Sequence, residues 1–334
     1  MKTPSRKALL ALFPLLGLAA ALAIAPPPSA AQKAHKFAMI LPGPVEDGDY
    51  NFSGYQVIQD IRQRFNMPAS YSERIGAADD ERVAREYINS GHDIVSFYGA
   101  QYFRTLQKLA PQFPELSFII QTSGRPPLPP NVWNIRRLWP EAFHPFGVLA
   151  GMSTKTNKVG VIGGIPIPDF KGAINTIWIA LKQVNPKAEL VYAFTGNQND
   201  PVKARQVAEA QIAGGVDFII TMVNLGVYGV IDAVKQADRP VLITSWVTDK
   251  ADKAPKHFAG SLLVDFRPST RKAMEGLLQG QRGGYLEVGP GTGFSLSDLT
   301  NVGPEAARAT RTLFDKVARG EVQLQYSIDE ILLK

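Results

Sequence analysis

The 334-residue chain carries a formal charge of +6, with 20% charged and 45% hydrophobic residues and no cysteine. That length exceeds one compact core and points to two domains. The lack of cysteine excludes disulfides, thiolate metal sites, a cysteine nucleophile and a lipid attached through cysteine; with no dense Lys/Arg stripe interleaved with aromatics, no nucleic-acid partner is expected.

At the N-terminus Lys2, Arg6 and Lys7 precede an apolar run from Ala8 to about Ala25, and Pro26-Pro27-Pro28 leads into Ser29-Ala30-Ala31. A positive start, an apolar core and a small-x-small site predict a secretory signal over residues 1–31, cleaved after Ala31. Pro14 and the shortness of the run argue against a membrane anchor. Cleavage removes three basic residues and no acid, lowering the formal charge from +6 to +3. The expected location is the periplasm, as a protein that is not a lipoprotein.

Beyond the signal, β-rich runs occur at 36–41, 94–97, 116–121, 158–163, 190–194, 218–222 and 241–246. Segments with helical spacing lie between them at 52–65, 80–90, 170–184, 201–213 and 225–236, and a last helix runs from near Pro304 to a stop at Gly320. Alternation of near-continuous apolar strands with helices predicts an α/β fold of two doubly wound parallel-sheet lobes. Asp200-Pro201 reads as an N-cap followed by proline at the first helical position. A weak internal repeat supports two similar lobes: Ile88-Asn89-Ser90-Gly91-His92-Asp93-Ile94 resembles Ile212-Ala213-Gly214-Gly215-Val216-Asp217-Phe218. In each a helix ends, a glycine turns the chain and an Asp precedes an apolar strand.

Ligands in such folds bind at the carboxyl ends of the strands. After the first strand, Gly43-Pro44-Val45-Glu46-Asp47-Gly48-Asp49-Tyr50-Asn51-Phe52 concentrates acid, amide and aromatic groups. Asp49 and Asn51 are equally suited to cap the helix that follows; the binding alternative has Tyr50 stacking beside Asp47 and Asn51. Tyr98 follows another strand, and Tyr228, Trp246 and Asp249 occupy matching positions in the second half. Aromatic loop tips suit a flat ligand, and carboxylates suit sugar hydroxyls or ring N–H groups. The four histidines, His35, His92, His144 and His257, are far apart without ligand spacing, so no metal is expected.

In these residues the chain resembles the BMP (basic membrane protein) or PnrA-like substrate-binding proteins of ABC transporters. The resemblance runs through Asp47-x-x-Tyr50-Asn51, Gly147-Val148-Leu149-Ala150-Gly151, Thr154-Lys155-Thr156-Asn157-Lys158-Val159-Gly160, Ile165-Pro166-Ile167-Pro168, Asn185-Pro186, Asp200-Pro201, Gly215-x-Asp217 and Thr248-Asp249, in order. It implies a type I periplasmic binding fold, with Tyr50 at a base-stacking position and Asp47, Asn51 and Asp249 at polar contacts. It also implies a purine-like ligand and an inner-membrane ABC permease as partners. Trp139 replaces a family acid, Asn199 replaces an aromatic, and Leu262-Leu263-Val264-Asp265 stands where nucleoside receptors carry a lysine. The expected ligand is a small flat heterocycle such as a purine base or nucleoside, and those departures leave room for a free base or another heterocycle.

The expected lobes are 32–150 plus about 258–282, and 151–257 plus about 283–334. Their crossings fall near 147–158, after Trp246 and near 266–284, and the chain is expected to be a monomer that closes like a hinge on its ligand. No catalytic residue or cofactor is expected. Gly160-Val161-Ile162-Gly163-Gly164 lacks the spacing of a dinucleotide loop, and Gly289-Pro290-Gly291-Thr292-Gly293 lacks the Lys-Ser/Thr of a phosphate loop. Asp79-Asp80-Glu81 reads as a helix start, and Ser123 and Ser245 have no histidine nearby in sequence. A sensory receptor presenting its ligand to a membrane signalling protein is the alternative, and an exported α/β enzyme a more distant one.

Overall fold

Apolar runs too short to be helices pair side by side, all but one pair in parallel, and helices connect most of them. A computed structural model describes Met1 and residues 35–333; the expected signal segment and its cleavage site lie outside the described residues. In chain order the elements are β1 (Phe37–Ile40), α1 (Tyr50–Arg64), β2 (Ala69–Ser72), α2 (Asp80–Asn89), β3 (Ile94–Phe97), α3 (Phe103–Leu109), β4 (Ser117–Thr122), β5 (Val132–Arg137), α4 (Trp139–Ser153), β6 (Lys158–Gly163), α5 (Pro168–Val184), β7 (Glu189–Phe194), α6 (Pro201–Ala213), β8 (Phe218–Met222), α7 (Gly226–Lys235), β9 (Leu242–Val247), β10 (Phe258–Val264), α8 (Arg267–Leu278), β11 (Gly284–Val288), β12 (Phe294–Leu296) and α9 (Pro304–Ala318).

The strands form two six-stranded sheets, ordered β11-β5-β4-β3-β1-β2 and β12-β10-β9-β8-β6-β7. Every pairing is parallel except β10 with β12, which is antiparallel. One apolar cluster packs Ile40, Phe97 and Phe118 with Leu106, and another packs Ile162 and Ile219 with Val230. A third, built around Phe143, Phe146, Ile174 and Ile177, includes residues of both sheets. The chain is therefore α/β, with two doubly wound lobes.

The repeat has a structural meaning. Gly91 and Gly215 both take left-handed backbone (φ 84° and 98°), which glycine tolerates. The Asp that follows each ties its lobe's first strand in place. Asp93 accepts from the Lys36 amide at 2.9 Å, and Asp217 from the Lys155 and Thr156 amides at 2.7 and 2.9 Å. Correspondingly β3 lies beside β1, and β8 beside β6.

The crossing expected after Trp246 is not found. Phe258–Val264 pairs with β9, so the chain stays in the second sheet after Trp246. Gly284–Val288 pairs with β5 and belongs to the first sheet. The lobes therefore exchange through α4, through α8 after Val264, and through residues 289–293. Phe258–Val264 is apolar enough to be covered on both faces, and only its neighbour decides which sheet it extends. The crossing helix α4 contains Pro145 and packs along α5. A Cβ at Gly147 would lie 2.2 Å from the Ile177 carbonyl oxygen, so glycine there lets the two backbones approach.

Candidate functional site

The carboxyl ends of the two sheets enclose a cavity of about 290 Å³. Strand order reverses at β1/β3 in one sheet and β6/β8 in the other, which places a crevice outside the strand ends there. The first lobe contributes Gly43, Tyr50, Asn51, Gln101, Arg137 and Trp139; the second contributes Ile167, Phe170, Gln198, Asn224 and Trp246. Among the described lining residues there is no carboxylate, and Arg137 is the charged one.

The loop before α1 is built around Asp47. Its Oδ1 accepts from the Asp49 and Phe52 amides at 2.9 and 3.0 Å. Its Oδ2 accepts from the Asn51 amide and side chain at 3.1 and 2.6 Å. These are the orphan donors and positive end of α1, so the carboxylate stabilises the helix start. Asn51 Oδ1 in turn accepts from the Gly43 amide at 2.9 Å, fixing the strand-to-helix turn against the cavity.

Tyr50 leaves that turn with its ring 4.6 Å from Tyr98 and edge-on to Phe266 at 5.9 Å. Its hydroxyl donates to Gln121 Oε1 at 2.8 Å and accepts from Arg137 at 3.1 Å. Burial raises the Tyr50 pKa above the ordinary phenol value, with Arg137 working against it, so the phenol is a neutral donor. Arg137 also donates to Asp169 Oδ2 at 2.5 Å, across from the end of β5 to α5, and both side chains are buried. Burial pushes the Asp169 carboxyl up and the neighbouring guanidinium opposes that shift. The pair balances its own charge, leaving a wall without net charge.

On the second lobe's side Trp246 packs 5.0 Å from Trp139 and 5.3 Å from Phe170, ring to ring. Its indole N–H donates to the Val223 carbonyl at 3.0 Å, which fixes the ring against the loop after β8. A second buried ion pair lies between the lobes near the cavity: Lys250 Nζ donates to Asp49 Oδ1 at 2.5 Å. The Thr248 hydroxyl reaches the same oxygen and the Gly48 carbonyl, both at 2.9 Å. Burial raises the Asp49 pKa from 3.8 to about 6, even though Lys250 and Thr248 lower it.

Of the candidates from sequence, Tyr50, Asn51, Trp139 and Trp246 line the cavity. The other four do not. Asp47 is consumed as the anchor of α1. Tyr98 is fully buried behind Tyr50, with its hydroxyl 2.7 Å from that of Ser53. Tyr228 is 38% exposed on α7, because its helical position turns it outward. Asp249 is exposed and accepts from the Ala251 amide and the Ser261 hydroxyl, as a turn residue does. Sequence reasoning missed Arg137, Phe170, Gln101, Gln198 and Asn224. Arg137 had a signal, a basic residue two places before Trp139; the amides had none beyond loop position. Among the described residues no group of three or more His, Asp or Glu could hold a metal, and no helix is long and apolar enough to cross a membrane.

Solved structures share this architecture. A solute-binding protein of an ABC transporter system from Aeropyrum pernix matches with a TM-score of 0.77 at 18% identity, over 87% of this chain and 93% of that one. One from Conexibacter woesei matches with 0.69 at 22%, over 88% and 99%. A Brucella abortus protein named as purine-binding is 24% identical over 57% of this chain and 54% of its own. A Haloferax volcanii protein named for glucose binding in an ABC transporter is 25% identical over 52% and 44%. The chain spans about half the length of such curated relatives. The family model of PnrA-like ABC transporter substrate-binding proteins matches residues 34–289, well over half of the chain. With two doubly wound lobes of the type I periplasmic binding fold around one cleft, the chain belongs to the PnrA-like, or Bmp, family of ABC transporter substrate-binding proteins.

Proposed function

We propose that this protein is the periplasmic binding component of an ABC transporter, a monomer that holds a small, flat, uncharged heterocycle such as a purine base and presents it to an inner-membrane permease. The observation carrying this reading is the cavity wall: Tyr50, Trp139, Phe170 and Trp246 with carboxamides between them and no carboxylate among the described lining residues. Aromatic faces stack on flat rings, and carboxamides match ring N–H and carbonyl groups. The cavity is at the small end of the range for ligand pockets, which suits a base better than a nucleoside. Contributions from both lobes favour closure on the ligand, because the lobes share it only when together.

The test is a thermal-shift and calorimetric panel of purine bases, nucleosides, flavins, glucose and amino acids on the purified protein. A true ligand at a hundredfold excess over its Kd stabilises the folded state by about 3 kcal/mol. At least one purine base is expected to do so; stabilisation by glucose alone would remove the heterocycle reading and leave the receptor reading intact.

A further inference from the structure

After α9 the chain runs on without helix or strand, and residues 321–333 lie against α5 and the start of α4. Asn175, in the middle of α5 and 3% exposed, commits its whole carboxamide to this segment. Its Nδ2 donates to the Ser327 and Glu330 carbonyls at 2.9 and 2.8 Å, and its Oδ1 accepts from the Leu332 amide at 2.6 Å. One turn earlier Lys171 Nζ donates to the Asp329 carbonyl at 2.8 Å. Ile331 and Leu333 pack against the apolar cluster that includes residues of both sheets. Between these grips a Cβ at Gly172 would lie 3.0 Å from Ile328 Cγ2 and 3.3 Å from Tyr326 Cδ2, so a larger residue would crowd the segment off the helix. Buried polar groups satisfied in this way fix what they join.

The attachment to the first lobe runs through one hydroxyl. Tyr326 donates to Glu141 Oε1 at 2.8 Å and accepts from Arg136 Nη2 at 3.4 Å. Arg136 also donates to Glu141 and to Glu287, both at 3.1 Å, and Arg136 and Glu287 are partners in the register of β5 with β11. Among the described residues no other hydrogen bond joins residues 321–333 to the first sheet. Elsewhere a groove of about 720 Å³ separates them, with Leu324 and Gln325 on one side and Arg125 and Tyr285 on the other. The segment therefore bridges the lobes beside the α4 crossing, as a further connection made by hydrogen bonds rather than by chain. The family match ends at residue 289, before this segment begins.

We propose that residues 321–333 are a hinge strap: held on the second lobe by Asn175 and pinned to the first by Tyr326, they limit how far the lobes part. The strap also bears on the cavity, because Arg136 precedes Arg137 and α5 carries Phe170, and Arg137 and Phe170 line it. This rests on closure between the lobes and not on which ligand they hold.

The experiment is pulsed electron paramagnetic resonance on the full chain without ligand. The sequence has no cysteine, so Gln107→Cys on α3 and Gln206→Cys on α6, both exposed, take one spin label in each lobe. Tyr326→Phe removes one hydroxyl and should raise the weight at long interlobe distances at least about threefold, in line with the net worth of a hydrogen bond to charged groups. Asn175→Ala should shift the distribution the same way by releasing the other grip. A control pair within the second lobe, Gln206→Cys with Lys235→Cys, should keep its distance throughout; movement there would mean a loosened lobe and overturn the strap. So would a broad interlobe distribution that Tyr326→Phe leaves as it was, whether or not Asn175→Ala folds. One narrow interlobe distance in every variant would remove lobe motion itself, and the closure reading and the strap with it.

Discussion

Replacing Asp169 by alanine would strand the Arg137 guanidinium inside the protein. Arg137 is 4% exposed, at the cavity wall, and Asp169 is fully buried, so both charges are largely removed from water. At a charge separation of about 4 Å and an effective dielectric of about 20, their attraction is about 4 kcal/mol. Removing one partner of such a pair leaves an uncompensated buried charge, and the expected loss of stability is about 3–5 kcal/mol. Arginine cannot escape by losing its proton, but Asp169 can neutralise by gaining one, and burial already raises its pKa. Arg137→Met is therefore the milder change, and its deficit shrinks as pH falls. The sign follows from the folded pKa lying above the unfolded one: the stabilising contribution is present below the unfolded value and is lost as pH rises through the folded one. Urea denaturation at several pH values, read by tryptophan fluorescence, measures both variants; Trp139 and Trp246 line the same cavity as Arg137. Arg137→Met combined with Asp169→Leu should recover most of the loss. A cost for Asp169→Ala below about 1 kcal/mol, or a double variant no more stable than Asp169→Ala alone, would refute the reasoning.

Asp49 carries a second pH dependence. Its pKa of about 6, against an ordinary 3.8, means the arrangement with Asp49 buried against Thr248 and Lys250 gains stability as pH falls from about 6 to about 4. If closure creates that arrangement, ligand affinity rises over the same interval with proton uptake. Titrations in buffers of different ionisation enthalpy measure the uptake, and Asp49→Asn should abolish it; affinity flat across this interval would count against closure burying Asp49. For Asp47, alanine should lower the melting stability of the empty protein by about 2 kcal/mol, the upper range for losing a helix cap. An affinity loss with unchanged stability would instead make Asp47 a ligand contact.

Much of the fold was legible along the chain because the relevant signals are local. The runs at 158–163 and 218–222 become strands with the same bounds, and the helix over 201–213 starts at its Asp200-Pro201 cap, whose Asp200 side chain accepts from the Lys203 amide at 2.9 Å. The elements that escaped notice have mixed signals. Val132–Arg137 ends in two arginines and Ala69–Ser72 is a partly polar edge strand; α4, indicated only by the family resemblance at 147–151, contains Pro145. Each is stabilised by neighbours rather than by its own pattern, β5 by strands on both sides and α4 by a glycine face laid on α5.

The same division runs through the site. Loop position after a strand, read from sequence alone, found Tyr50, Asn51 and Trp246, because parallel α/β topology brings strand ends to one crevice. It could not tell Asp47, spent on the backbone of α1, from a residue facing the cavity, since an acid before a helix serves either purpose. Nor could it pair Arg137 with Asp169, 32 residues apart. Periodicity and turn chemistry determined the layers, the repeat and the ends of the strands where ligands gather. Which polar groups meet was decided only when the two lobes came together, because hydrogen bonding and desolvation depend on distances that no sequence spacing encodes.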